Sequence, residues 1–249
     1  MTSIQMKNRN LQLQFTKFAQ DPFIKKCVGD VQIPVCFVEM LEELLAANTT
    51  LSQQRNYIWS GAVILLQMGL ELHTMVSIEE KPDPMEMQKR QRYVLAGDYY
   101  SSLFYYLLSD HHEIEAIQYF SQVISSINQD KLSWHQKRLK QQTYDQEMIQ
   151  NLKSMTSGLL MAVADFFHVQ GDFLKQWKKA ASLYLLMDYI EKNEERHRFS
   201  DETRRQIGKE WSQLREQLSQ LHPQQDGHRL LRLLDQKNDF VDCFAAKGS

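Results

Sequence analysis

The sequence predicts an all-α fold, one helical bundle of about eight to ten helices spanning residues 1–249. Three observations carry that expectation. Nine glycines and five prolines in 249 residues leave room for few turns and many long helices. Apolar residues recur at three- and four-residue intervals along most of the chain, and strand-like alternation is absent. The stretch Tyr93–Leu108 contains no proline and, wrapped as a helix, shows no polar side.

Taken in order, Leu11, Phe15 and Phe18 mark a helix from Ile4 to Gln20, ended by Asp21-Pro22. Pro34 suits the first turn of a helix running through Leu45, with Phe37, Leu41, Leu44 and Leu45 inward. Asn48-Thr49-Thr50 is a break, and Ser52 can cap the next helix, which runs to about Ser77. A loop bearing Pro82 and Pro84 precedes Tyr93–Leu108. Beyond Ser109-Asp110, a helix from Glu113 to Asn128 presents Ile114, Ile117, Phe120 (with Ser121), Ile124 and Ile127 as its inner face. Between Asp130 and Gln150 the chain turns polar, and Lys131, Lys137, Arg138 and Lys140 lie close together. A phosphate-facing patch is one reading of them; a solvated helix is the plainer and preferred one. Helices resume over Met148–Val169 and, after Gly171, over Phe173–Glu191. Glu191–Arg205 reads as a charged, exposed connection. Two amphipathic helices, Glu202–Leu221 and Gly227–Phe244, form a C-terminal extension over residues 200–249, and no repeat of 20–50 residues is evident.

A net charge of −2 carries no electrostatic footprint for nucleic acid or an anionic membrane. Cys27, Cys36 and Cys243 are odd in number and lack metal-ligand spacing, which fits a reducing compartment. Met1–Gln14 is too polar for a signal peptide. The longest apolar stretch, Trp59–Leu72, is interrupted by Gln67 and Glu71 and is too short to span a bilayer. A soluble cytoplasmic protein is expected.

Around the Tyr93–Leu108 helix, one line of residues runs Val94, Gly97, Ser101, Phe104 and Leu108, another Ala96, Tyr100, Leu103 and Leu107, and a third Leu95, Tyr99, Ser102 and Tyr106. Asp98 is its only charge. A helix apolar all round is expected to be buried all round, in its own core or shared with a subunit interface. Small residues at 96–97 and 101–102 would let neighbouring helices approach closely. Leu95-Ala96-Gly97-Asp98-Tyr99 closely resembles the Leu-x-Gly-Asp-Tyr/Phe segment of trans-polyprenyl diphosphate synthases. More narrowly, Val94–Ser109 resembles the small subunit of bacterial two-component synthases, heptaprenyl diphosphate synthase component I. The resemblance covers roughly Trp59 to Glu191, so residues 59–191 are the prenyl-synthase-like part. It implies the isoprenoid synthase fold and a separate catalytic component II.

Those synthases ionise an allylic diphosphate with magnesium ions held by two Asp-Asp-x-x-Asp motifs, carboxylates being the ligands a hard cation prefers. This chain has no Asp-Asp pair. Where the first motif would follow Leu65–Leu72 stand His73, Thr74 and Ser77. Where the diphosphate-gripping arginine pair would follow stands Lys81-Pro82-Asp83-Pro84. A Lys-Thr pair that binds diphosphate in the family is replaced by Met155-Thr156. The second motif falls near Met187–Glu191, where Asp188 and Glu191 remain as altered acids. The resemblance therefore implies a non-catalytic, regulatory subunit in a heterodimer making heptaprenyl diphosphate for menaquinone. No catalytic residue, metal or cofactor is expected in this chain. Magnesium is expected on the catalytic partner, and farnesyl and isopentenyl diphosphates would bind through the complex. Tyr99, Tyr100, Ser101, Ser102, Leu103, Phe104 and Leu107 are the candidates for contacting the partner or lining the path of the growing chain. The alternative from another class is a helical adaptor unrelated to prenyl chemistry. His111-His112-Glu113 with Glu115 could suggest a metal site, but no matching ligand set stands on another helix, and a helix start accounts for them. His73 has its own plainer account, a satisfied interior histidine.

Overall fold

Side-chain caps set five of the helix starts in the computed structural model, which describes residues 21–47, 51–76, 82–169, 171–220 and 227–246. The expected helix over Ile4–Gln20, the break at Asn48-Thr49-Thr50, and the positions Ser77 and Lys81 lie outside the described residues. Asp21 accepts from the amides of Phe23 (2.8 Å) and Ile24 (3.1 Å), and Pro22 follows at the first helical position. The pair Asp21-Pro22, expected to end a helix, thus opens α1 (Pro22–Val28). An aspartate followed by proline satisfies the orphan amides of a first turn, and that outweighs its breaking tendency. Gly29, at φ +85°, ends it.

α2 (Val35–Ala47) follows Pro34. α3 (Gln53–Thr74) is capped by Ser52, whose Oγ accepts from the amide of Arg55, as expected. α4 (Pro84–Asp110) starts at Asp83, which accepts from the amide of Glu86, with Pro84 in the first turn. It therefore begins nine residues before Tyr93, because the proline placed in a loop occupies the first helical position, where no N–H is needed. α5 (Ile114–Arg138) runs ten residues past Asn128. α6 (Gln146–Phe166), α7 (Asp172–Lys192), a 3₁₀ turn (Glu195–Arg198), α8 (Asp201–Ser219), α9 (Gly227–Gln236) and α10 (Asn238–Ala245) complete the order. The chain is all-α, with ten α-helices and no strand among the described residues.

The chain divides into two compact units, one of Met1–Val38 with Leu51–Ile117 and one of Glu39–Thr50 with Gln118–Ser249. In the first, α3 and α4 approach through small residues. A Cβ built on Gly69 would lie 2.7 Å from Ser101 Oγ and 2.8 Å from the Gly97 carbonyl oxygen. The expected close approach at Gly97 and Ser101 is thus found, whereas Ser102 faces solvent. Tyr99 donates its hydroxyl to Asp21 at the start of α1 (3.3 Å).

The helix buried all round is α3, not α4. Every residue from Ile58 to Leu70 is buried, whereas Leu95 (67% exposed) and Tyr106 (62%) on α4 lie open with Asp98 and Ser102. On α4, Ala96, Tyr100, Phe104 and Leu108 turn inward. Burial pushes the Tyr100 phenol up to about 12. The three apolar lines of α4 are therefore unequal, a difference that residue type alone does not encode.

In the second unit the core is formed by Trp134, Trp177 and Trp211 with the inner faces of α6 and α7. Trp177 Nε1 donates to the Met40 carbonyl (3.0 Å). α5 continues into the polar stretch because Phe120, Ile127 and Trp134 keep one buried line at helical spacing. Two members of the expected inner face, Ile114 and Ser121, are exposed, since the buried line starts at Ala116 instead. The expected exposed connection after Glu191 holds three buried residues, Glu195, Phe199 and Arg204. Glu195 (2% exposed) accepts from Arg138 Nη2 (2.7 Å) and the Tyr144 hydroxyl (2.5 Å), so a charge-rich stretch turns inward around a paired acid. The expected helix Gly227–Phe244 is interrupted at Lys237.

Candidate functional site

The signature helix and the end of α3 meet at His73. Its ring lies over Gly97, where an added Cβ would come within 2.7 Å of the imidazole, and its Nε2 is 3.4 Å from Asp98 Oδ1. Gly97 leaves room for the flat ring to rest on the α4 backbone, and a side chain there would make the ring move aside. Thr74, next along, turns its hydroxyl back to the Leu70 carbonyl (2.9 Å), the usual resting place of a threonine inside a helix. Ser77 lies outside the described residues. His73 is thus taken up against Gly97-Asp98 and Thr74 against its own helix. His73 is half-buried and engaged, which accords with an interior histidine.

Asp188 and Glu191 occupy one end of α7, and a lysine joins them. Lys237 Nζ stands 3.1 Å from Asp188 Oδ1 and 2.6 Å from Glu191 Oε2, and Lys192 Nζ is 2.7 Å from Asp188 Oδ2. The Lys237 side chain is 12% exposed, and its ammonium lies 5.8 Å above the Tyr184 ring. Tyr184 in turn donates to Glu39 Oε2 (2.9 Å). Burial raises the Glu39 pKa, while the Tyr184 hydrogen bond and Lys237 oppose the rise. Sequence reasoning missed Lys237, Tyr184 and Glu39. The Asp188–Lys192 pair was visible as an i, i+4 spacing, but nothing local announces a lysine 46 residues beyond Glu191. The break between α9 and α10 falls at this lysine.

Met155 and Thr156 lie in α6. Thr156 Oγ1 donates to the Leu152 carbonyl (3.0 Å) and Met155 is half-buried. Among the residues proposed on α4, the structure separates two sets. Tyr100 and Phe104 point into their own unit, and Ser101 meets α3 at Gly69. Tyr99, Leu103 and Leu107 are half-buried, and Ser102 is exposed on the same side as Leu95 and Tyr106.

The residues weighed as a metal site serve a helix junction instead. His112 adopts a left-handed conformation at φ 58°, and His111 Nδ1 lies 3.0 Å from the Leu107 carbonyl. Glu113 receives a two-pronged bond from Arg55, Nε at 2.6 Å and Nη2 at 2.9 Å, and that hydrogen bonding holds its carboxyl below the usual range. No group of three or more His, Cys, Asp or Glu side chains suited to a metal occurs among the described residues. In the polar stretch, Lys137 pairs with Glu147 and Arg138 with Glu195. Arg138 also lies 5.1 Å from the Trp134 ring centroid, and burial lowers Lys131 to about 8. No helix among the described residues is long and apolar enough to cross a membrane.

These features define a class of all-α chain in which a glycine–aspartate pair serves helix packing and the acids at the end of α7 are paired with the chain's own lysines. Residues 22–239 match the model of the family described as heptaprenyl diphosphate synthase (HEPPP synthase) subunit 1, and the chain belongs to that family. It is 31% identical over 126 residues to heptaprenyl diphosphate synthase component 1 of Geobacillus stearothermophilus. That alignment covers 51% of this chain and 52% of the relative, so the chain spans about half the length of the curated relative it matches. The resemblance read from Val94–Ser109 is met.

Proposed function

We propose that this chain is the non-catalytic subunit of a heterodimeric heptaprenyl diphosphate synthase. A catalytic component II carries both Asp-Asp-x-x-Asp motifs and magnesium, and elongates farnesyl diphosphate with isopentenyl diphosphate in the cytoplasm, towards menaquinone. Family membership supports the assembly. One observation carries the non-catalytic role: the positions where metal-binding acids would stand are a histidine and a threonine engaged locally, or acids held by Lys237 and Lys192. Magnesium needs several free oxygen ligands, and an acid already shared between two ammonium groups offers little to it.

The outer side of α4 is the partner surface in this reading. Leu95 and Tyr106 lie exposed there on either side of Ser102, with Leu103 and Leu107 on its shoulder. Apolar side chains left open in this way gain from burial by about 25 cal/mol per Å² covered. Leu103 and Leu107, not the internal Tyr100 and Phe104, are then placed to influence the length of the product.

Co-expression with the catalytic component tests the reading. Activity on farnesyl and isopentenyl diphosphates is expected only from the two chains together. Turnover by this chain alone would overturn the non-catalytic role, and full activity of component II without it would overturn the need for this subunit. In the active pair, Leu103→Ala is expected to lengthen the product distribution, read by chromatography of the dephosphorylated products.

A further inference from the structure

The second unit contains a cavity of about 440 Å³ formed by α6, α7 and α8. Three lysines line it, Lys153 from α6 and Lys178 and Lys179 from α7, against a single acid, Glu210 of α8. Leu183 and Leu214, both buried, are its apolar lining. Lys178 is balanced by Asp165 (2.7 Å), which lies outside the cavity lining. Neither Lys153 nor Lys179 has a carboxylate within ion-pair reach among the described residues. Glu210 is within 3.3 Å of Gln206 Nε2 on its own helix. Several other cations of this unit are paired: Arg138 with Glu195, Arg215 with Asp235, Lys237 with Asp188 and Glu191.

We propose that this cavity binds a small, soluble phosphate-bearing anion. With Asp165 and Glu210 counted the site keeps a net positive charge, and Lys153 and Lys179, on two different helices, offer an anion charge-assisted hydrogen bonds. A concave site excludes part of the competing water, and Leu183 and Leu214 give a non-polar portion of the ligand something to cover. The side chains of Ser182 and Gln213 complete the lining with neutral polar groups. This site is separate from the acid cluster at Asp188 and Glu191, whose cations are already spent. It does not rest on the partner reading, so the isolated full chain suffices to test it.

Inorganic pyrophosphate is the probe, titrated into the full chain by calorimetry at low and moderate salt. Saturable one-to-one binding is expected. Lys153→Gln with Lys179→Gln should weaken it by about tenfold or more, the scale of one or two lost charge-assisted bonds. Glu210→Gln, which removes the opposing charge, should tighten it by a few-fold. Gln213→Trp leaves every charge in place but fills the mouth of the cavity, and should weaken binding too. Lys26→Gln, at an exposed lysine of the other unit, should leave it unchanged. Equal loss from Lys26→Gln and the double variant would mean diffuse charge screening and would overturn the proposal, as would no binding by the wild-type chain. Binding to vesicles containing phosphatidic acid, without binding to pyrophosphate, would assign the phosphate to a lipid headgroup and overturn the soluble-ligand form. Circular dichroism and melting curves confirm that each variant is folded before titration.

Discussion

The contact between α3 and α4 and the cluster around Glu195 solve the same problem with opposite materials. At Gly69, Gly97 and Ser101 the side chains are minimal, and the two backbones close to a distance at which one added carbon would strike a carbonyl oxygen 2.8 Å away. Around Glu195 the side chains are large and charged or aromatic. Arg138, Tyr144, Trp134 and Phe199 are drawn together, with Tyr144 edge-on to Phe199 at 5.2 Å between ring centroids. The first contact gains from dispersion at short range and cannot accept added bulk. The second gains from satisfied polar groups and cannot accept the loss of one. Packing without side chains resists insertion, and packing by a polar network resists deletion.

The largest expected effect is an insertion. Gly69→Val should destabilise the chain by about 3 kcal/mol or more, since the obstacle is backbone and cannot swing away. Gly97→Ala should cost less, about 1 kcal/mol, because the atoms it meets belong to the His73 ring. Urea denaturation of the two variants measures the difference, and equal costs would show that the helices separate freely. Next comes the deletion. Glu195→Ala should cost about 2–3 kcal/mol, discounted because Arg138 is partly solvated. Glu195→Gln, which keeps the shape and an acceptor for Tyr144, should cost about half as much. If Gln is as harmful as Ala, charge rather than hydrogen bonding holds the cluster.

A third test uses pH. His135, beside Trp134, has its pKa lowered from 6.5 to about 4 by burial first, then by Lys131 and Arg138. Its neutral form is the one the fold favours, so the unfolded chain binds more protons between these values. Stability should therefore be fully present above about 6.5 and fall as pH drops towards about 4, by about 1–2 kcal/mol from this group. His135→Gln should flatten that slope in melting curves taken between those pH values. The smallest effect on stability, within about 0.5 kcal/mol, is expected for Leu95→Asp and Tyr106→Asp on the exposed side of α4. Both should nevertheless abolish co-purification with the catalytic component. Retention of the complex in both would move the partner contact off this face.

The contrast also explains what could be read in advance. Ser52 as a cap and the small residues facing α3 were legible, because each is a local pattern. The run buried from Ile58 to Leu70 and the open side of α4 were not distinguishable, since both helices are apolar all round and only their neighbours differ. Glu195 was read as exposed because a count of charges within Glu191–Arg205 contains neither Arg138 nor Tyr144. Lys237 was missed for the same reason, its partners lying 46 and 49 residues earlier in the chain. Paired charge is a property of tertiary structure, and a one-dimensional reading sees only its halves.

The place of Gly97 beneath His73 bears on how sequence patterns are used to assign enzymes. A glycine that keeps two helices in register is under a steric constraint that holds whether or not any reaction takes place nearby. Natural selection acting on assembly alone would keep it. In this chain the Leu-x-Gly-Asp-Tyr segment answers to helix packing, and the segment by itself is no mark of a reaction.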